Sequence, residues 1–459
     1  MNRPRPRVLM VSLVERQEND AAPWLFVHGA AAPRGGPGAS PTTERASDRA
    51  LVLARPQDIV CVSEEVEPAY LAYLAELGLG PSPERVVAVS RFGDHAPGRA
   101  LWARLAGNTE ALRALGSLLR ESGPTRLHPF IASRRPFELA AALEIAADTE
   151  VQVVGGDPRV VESADQKHEM RARAIALGIP VADGEIVELP LAGGRRRGDY
   201  NALRAAIDRR LGATGRVIVR GTHGASGSAS YVVGSGGMDP DGVMRALSDR
   251  CENRFLLVEV MVSATVSPSV QLHVAPEGGP ITCVGVTDQR WERPLLNGGS
   301  LYPSTAHLVP EMVEWALRLA GWLQREGYAG HLGLDFVEYT DPASGKPRAF
   351  LAEVSPRLTG DTYPLALFRR LNGAQRQAGR PESAAFVSGT IDIRHRRFAD
   401  FRRAAGHLFY SPITGCGVVP HHVGWLGRGR CGVVVLGPTR DAVLRASGEL
   451  QSWCRLEGR

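Results

Sequence analysis

The sequence has no apolar run approaching the roughly 20 residues that a membrane-spanning helix needs. Its opening stretch, MNRPRPRVLMVSLVERQEND, has a basic start and a short apolar run, but Glu15, Arg16 and Glu18 end that run and no small-residue cleavage pattern follows. VLMVSLV therefore reads as a buried first strand and not as a secretion signal. Cysteines are few and scattered: Cys61, Cys251, Cys283, Cys416, Cys431 and Cys454 include no pair at zinc-finger or redox-motif spacing. They read as small, mostly buried thiols of a reducing compartment, and the protein is expected to be cytoplasmic. Basic clustering is missing as well. The formal charge of +5 comes from arginines spread along the chain, with Arg195, Arg196 and Arg197 as one short run, so the clustered face of a nucleic-acid binder is not expected. Neither a GxxxxGK[ST] loop nor a GxGxxG run after a first strand is present, and no internal repeat is visible.

What the chain does have is length and ordinary globular composition. Its 459 residues, 44% hydrophobic and 22% charged, allow two or three domains, each with its own core. Up to about residue 149, apolar runs such as RVLMVSL and QDIVCVS alternate with helix-like segments such as EPAYLAYLAELGLG, which predicts an α/β domain around a parallel sheet. HGAAAPRGGPGASPTTERAS reads as a surface loop. ELAAALEIAADT and VQVVGG then close the domain near residue 156. A helix is predicted over SADQKHEMRARAIALGIP, stopped by Gly178 and Pro180. Strands GRVIVRG and RFLLVEVMV follow. HLVPEMVEWALRLAGWLQREG places Met312, Trp315, Leu319 and Leu323 at the spacing of a core-facing helix. HLGLDFVEY and AFLAEVS, joined by TDPASGK, predict an antiparallel hairpin. CGVVVLG and DAVLRASGELQSW predict a last strand and helix.

The chemistry concentrates in LAEVSPRLTG, where Glu353, Ser355 and Arg357 recur at every second position. In an extended strand these point one way, while Leu351 and Val354 bracket the run with core-type side chains. Taken alone, this is also what an edge strand with a solvated face shows. The hairpin adds Asp335 on the neighbouring strand, and two acids in apolar settings call for a cation. Mg²⁺ suits such a pair, because it takes hard oxygen ligands and leaves positions for phosphates and water; a salt bridge from Arg357 to either acid is the alternative. A second element is VIVRGTHGASGSASYVV, where β-branched runs flank Gly221, Gly224, Ser226 and Gly227 behind Arg220. Small residues of this kind let backbone N–H groups approach phosphate oxygens. His223 and His331 read as polar residues and not as bases. Gln289 and Arg290 could face an acidic substrate or form a loop ion pair.

In this order the motifs resemble the ATP-grasp superfamily of ligases, over residues 160 to 365. The resemblance implies an α/β N-terminal parallel-sheet domain (pre-ATP-grasp, 1–156), then an α+β ATP-grasp core (157–385) with a mobile glycine-rich lid (181–262), then a C-terminal extension (386–459). It also implies a nucleotide cleft. Lys167 in DQKHEMRARAIALGIP and Arg220 would meet phosphates beneath the lid residues Gly224, Ser226 and Gly227. Glu259 would lead the adenine linker, with backbone at Met261 and Val262. Asp335, Glu353 and Ser355 would hold Mg²⁺, and Arg357 with Arg220 would stabilise the transferring phosphoryl group. Arg220 stands where many members have Lys, Ser355 where Asn is common, and SATVSPSV lacks the acid often found beyond the linker. The flanks, including HHVGWLGRGRCGVVVLGPTRDAVLRA, are similar to pheganomycin-type peptide ligases. That implies, in natural-product biosynthesis, ATP-dependent joining of an amino-acid-like carboxylate, an unusual guanidino- or amidino-bearing amino acid, to an amine or peptide acceptor at a peptide N-terminus through an acyl phosphate. Coupling of two small metabolites and a non-catalytic nucleotide-binding module are the alternatives.

Overall fold

The computed structural model describes residues 22–29, 45–93, 100–189, 200–222, 230–250, 254–293 and 296–456. The expected strand VLMVSLV lies outside them, and the first described strand is WLFV. β1 (Trp24–Val27), β2 (Ile59–Val62), β3 (Val86–Ala88), β4 (Thr125–Pro129) and β5 (Val151–Val153) form one parallel sheet in the order β3-β2-β1-β4-β5. WLFV, IVCV and VVA are buried along their whole length, as strands covered on both faces must be. Alternation still divides them. Leu25, Val27, Ile59 and Cys61 pack with Leu115 and Leu143 of the helices Thr109–Ser122 and Arg134–Ala147. Trp24, Phe26, Val60 and Val62 enter a second core that includes Phe386, Val434 and Leu450, from the far end of the chain. The chain leaves the centre of this sheet at β1, runs outward through β3 and returns to β4, so its switch point lies between β1 and β4.

The helix expected over residues 163–180 is two helices, Pro158–Ala164 and Lys167–Ala176. Asp157 caps the first by accepting from the Arg159 N–H, and Gln166 takes an extended conformation between them. The break sets Lys167 at the first position of the second helix. β6 (Gly184–Glu188), β7 (Arg216–Gly221), β8 (Ser230–Gly234) and β9 (Phe255–Val260) then form a small antiparallel sheet, order β6-β9-β7-β8. Leu203 and Ile207 of the helix Asn201–Thr214 cover it. Gly184 is required here: a Cβ would lie 2.6 Å from the Val258 carbonyl oxygen and 2.7 Å from Glu259 Cγ.

The third sheet is antiparallel and has nine strands: β10 (Ala264–Val266), β11 (Pro268–Val274), β12 (Ile281–Arg293), β13 (Leu296–Tyr302), β14 (Gly330–Thr340), β15 (Pro347–Ser355), β16 (Ala385–Asp392), β17 (Gly417–His422) and β18 (Arg430–Gly437). The order is β10-β14-β11-β12-β13-β16-β18-β17, with β15 also paired to β14. The expected hairpin joins β14 to β15, its turn held by Asp341, which accepts from the Ala343 N–H and the Ser344 hydroxyl, each at 3.0 Å. On β14 the alternation is sharp. Leu332, Leu334 and Phe336 are buried with Met312, Ala316 and Leu319 of the helix Val309–Arg325, which leaves His331, Gly333 and Asp335 for the opposite face. Among the described residues, no helix is long and apolar enough to cross a membrane. The five described cysteines are free; Cys61 and Cys431 are buried, while Cys283, Cys416 and Cys454 are half-buried, short of the burial expected.

Leu334 is fully buried at the centre of this packing. Leu334→Ala is expected to remove about 2–5 kcal/mol of stability, read from the urea unfolding midpoint. A loss below about 1 kcal/mol would place the side chain outside a close-packed core.

Candidate active site

Register builds the site. Asp335 of β14 lies opposite Glu353 of β15 and, on its other side, opposite Ser269 of β11; Gly333 lies between Ser355 and Gln271. Ser269 in turn pairs Thr287 of β12, and Gln289 pairs Ser300 of β13. Since directly paired residues share a face, one side of five strands carries Glu353, Asp335, Ser269, Thr287, Gln289 and Ser300. Ser300 continues the row to Ser388 of β16 through a 2.8 Å hydroxyl contact. Gly333 lets the segment after β15 lie on this floor, because a Cβ there would meet Thr359 Cγ2 at 2.7 Å. The every-second-position pattern of residues 353–357 thus has two parts. Glu353 and Ser355 belong to the strand, and Arg357 sits just past its end, its N–H donating to the Ser355 carbonyl at 2.8 Å. Among the described residues the Arg357 guanidinium forms its ion pair with Asp165, at 3.8 Å, instead of with either strand acid, while its charge still acts on Glu353.

The two facing acids have different electrostatic settings. Burial, then the charge of Glu353, pushes Asp335 up to about 7 against the pull of the Ser269 and Gln289 side chains. The Ser269 hydroxyl donates to Asp335 Oδ1 at 2.6 Å. Burial also works against the Glu353 carboxylate, but Lys167, Arg220 and Arg357 outweigh it and hold Glu353 below the usual value. Lys167 Nζ lies 3.0 Å from Glu353 Oε1. A third acid escaped the sequence reading: Asp361 is 4% exposed, and burial pushes it up to about 6 despite the hydroxyls of Ser300, Ser269 and Thr287.

Glu259 is not free to face a ligand in this arrangement. Its carboxylate accepts from Arg171 at 2.8 Å and from Arg220 at 2.9 and 2.5 Å. Arg171 also donates to the carbonyls of Ala182 and Gly184, and Arg220 to the carbonyl of Ala352 on β15 at 3.0 Å. Arg220 therefore ties the small sheet to the large one. Burial disfavours its charge, yet Glu259, Glu353 and Asp335 together raise its pKa above the ordinary value. Arg171 was missed in the sequence, although it stands four residues after Lys167 on the same helix face, the spacing at which side chains meet. Lys167, Arg220, Glu259 and Glu353 line one pocket with Met170 and Leu257. Met261 and Val262 are half-buried in the irregular segment after β9, and the Met261 N–H donates to the Arg216 carbonyl at 3.2 Å. Gly224, Ser226, Gly227 and His223 lie outside the described residues; Arg220, paired with Ser230, marks where β7 and β8 lead into that stretch. Ser355 is buried, and Gln289 faces Asp335. His331 is buried among other rings, 5.3 Å from His273 and 6.0 Å from His128.

Residues 47–145 match the family described as the Pre ATP-grasp domain. The fold is similar to an ADP complex of N5-carboxyaminoimidazole ribonucleotide synthetase, at 14% identity and TM-score 0.53, covering 94% of this chain and 97% of that one. It is similar also to carboxyaminoimidazole ribonucleotide synthase of Aspergillus clavatus with ATP (12%, 0.50, 95% and 99%) and to biotin carboxylase of Campylobacter jejuni in a β,γ-ATP complex (13%, 0.54, 93% and 90%). No curated protein matches. At such identities the likeness is one of fold: the N-terminal parallel sheet and the antiparallel sheets that follow make the ATP-grasp architecture.

Two predictions test the electrostatics. Glu259→Gln leaves Arg171 and Arg220 buried without their acid and is expected to cost about 3–5 kcal/mol in unfolding free energy; an unchanged midpoint would show that the triad is not coupled. Asp335 has its carboxyl raised from 3.8 to about 7, so it supports the fold when protonated and loses that contribution as pH rises from about 4 through 7. Measured in chelator, Asp335→Asn should gain stability relative to the parent across that window. A flat difference would contradict the assigned burial.

Proposed function

We propose that this pocket binds ATP with Mg²⁺ and that the protein is an ADP-forming ligase, activating a carboxylate as an acyl phosphate and passing the acyl group to an amine. The observation that carries the reading is Asp335 facing Glu353 across β14 and β15 with Lys167 and Arg220 beside them. The donor set fits Mg²⁺: hard carboxylate oxygens, no thiol, and an Asp335 whose hydrogen-bond partners Ser269 and Gln289 are neutral. Such an ion takes one or two protein carboxylates and completes its shell with phosphates and water. Asp335 and Glu353 would hold it, with Ser355 two positions along, and it would supply positive charge to the phosphate tail.

The chain's own residues do the rest by position and charge. Lys167 and Arg220 are already held in the pocket by Glu353 and Glu259, so donors for phosphate oxygens need little reordering. Arg357, past the end of the same strand, adds a fork toward the transferring group. No protein nucleophile is needed, and an amine with a pKa near 8 loses its proton without a dedicated base. Gly224, Ser226 and Gly227 would cover the phosphates and exclude water from the acyl phosphate. Backbone at Met261 and Val262, beyond Glu259, would meet the base. Following the resemblance to pheganomycin-type ligases, the carboxylate is a guanidino- or amidino-bearing amino acid and the amine is a peptide N-terminus.

A screen of ADP release over guanidino and ordinary amino acids, with and without peptide acceptors, tests the reading. Glu353→Gln should lower carboxylate-dependent ADP release by about 10²-fold or more with the circular dichroism spectrum retained. Undiminished release would remove Glu353 from the reaction.

A further inference from the structure

A second cationic position lies away from the Lys167 and Arg220 pocket. Arg49 belongs to the 3-10 stretch Arg45–Leu53 between β1 and β2. The Ser47 hydroxyl pins this stretch to the carboxyl end of β2 by accepting from the Ser63 N–H at 2.9 Å. The half-buried Arg49 guanidinium lies 5.9 Å from the Tyr363 ring and 5.7 Å from the Trp425 ring. It makes no hydrogen bond or ion pair among the described residues, and its Nε is buried without a partner. The adjacent acid does not neutralise it. Asp48 is committed to His422 Nδ1 and to the N–H groups of Val423 and Gly424, each of the latter at 2.7 Å. Beside Arg49, His421 is 7% exposed with its Nδ1 also unpartnered; burial first, then the Arg49 charge, keeps that ring neutral. A cation withdrawn from water without an anion is costly, and two aromatic plates that orient a planar fork are what a flat carboxylate needs.

The position connects to the reaction floor. Tyr363 touches His28, its hydroxyl 3.1 Å from Nδ1; His28 Nε2 lies 3.0 Å from His128 Nδ1; and the His128 ring meets His331 edge-on at 6.0 Å. His331 stands on the same face of β14 as Asp335, four residues away, about 13 Å along a strand. His28 follows the carboxyl end of β1 and His128 lies in the last residues of β4, the two strands that flank the switch point, where open α/β sheets bind ligands.

We propose that Arg49, framed by Tyr363 and Trp425 and backed by His421, is a carboxylate-binding subsite that takes the terminal carboxylate of the amine-bearing substrate, an amino acid or short peptide. The assignment rests on the ligase reading for the identity of that substrate. It accounts for a half-buried guanidinium with no acid paired to it among the described residues, and it gives the acceptor a recognition point separate from the carboxylate that is activated.

Calorimetric titration of the full chain, in the presence of Mg-ATP, with amino acids, short peptides, their C-terminal amides and inorganic phosphate tests it. Free acids should bind at least about tenfold tighter than their amides. Arg49→Met should erase that gap and Arg49→Lys restore part of it, while Mg-ATP affinity stays at the parent value. Equal binding of acids and amides to the parent, a gap that survives in Arg49→Met, or phosphate binding alone would overturn the proposal. An acid-over-amide gap without ADP release would leave the subsite standing and remove the ligase reading; ADP release without a gap would do the reverse.

Discussion

The arrangement depends on two carboxylates held face to face by strand register. Asp335 and Glu353 point to one side because Leu334 and Val354 must point to the other, into the core beneath the long helix Val309–Arg325. A shift of pairing by one residue would bury both acids among leucines, so the hydrophobic packing of the back face fixes the polar chemistry of the front. Once the acids are fixed, their repulsion and burial separate their proton affinities. Asp335 is pushed up, while Glu353 is held down by Lys167, Arg220 and Arg357.

Arg220 extends this constraint to the neighbouring subdomain. It bonds the Glu259 carboxylate within the small sheet and the Ala352 carbonyl on β15, next to Glu353. Position of the small sheet and charge at the site are therefore set by the same guanidinium. Lys167 adds a second tie, since the break between the helices Pro158–Ala164 and Lys167–Ala176 places it where its ammonium reaches Glu353. It is one of only two lysines in an arginine-rich chain, the other, Lys346, being in the exposed hairpin turn.

What could be read in the sequence was what strand and helix periodicity encode. The hairpin with Asp335 and Glu353, the core stripe of Met312, Leu319 and Leu323, and the strands IVCV and RVIVRG all follow from local pattern. What could not be read depends on partners distant in the chain. WLFV, no shorter than IVCV, is overshadowed by the longer apolar run VLMVSLV before it, and nothing near Glu259 in sequence says that Arg171, 88 residues earlier, will claim its carboxylate. Asp361 carries no signal in its local sequence, because its buried setting arises only when three strands bring Ser269, Thr287 and Ser300 around it. The ring series from Tyr363 to His331 likewise joins residues hundreds of positions apart in the chain.

The core shared by Trp24, Leu51 and Tyr70 with Val434 and Leu450 has a consequence for biosynthesis. The Tyr70 hydroxyl donates to the Pro420 carbonyl, 350 positions later, and Asp48 is satisfied by residues 422–424. At a ribosomal pace of about 5–20 residues per second, the earliest-made sheet waits many seconds with one apolar side uncovered. That side gains its cover only when the final strands emerge.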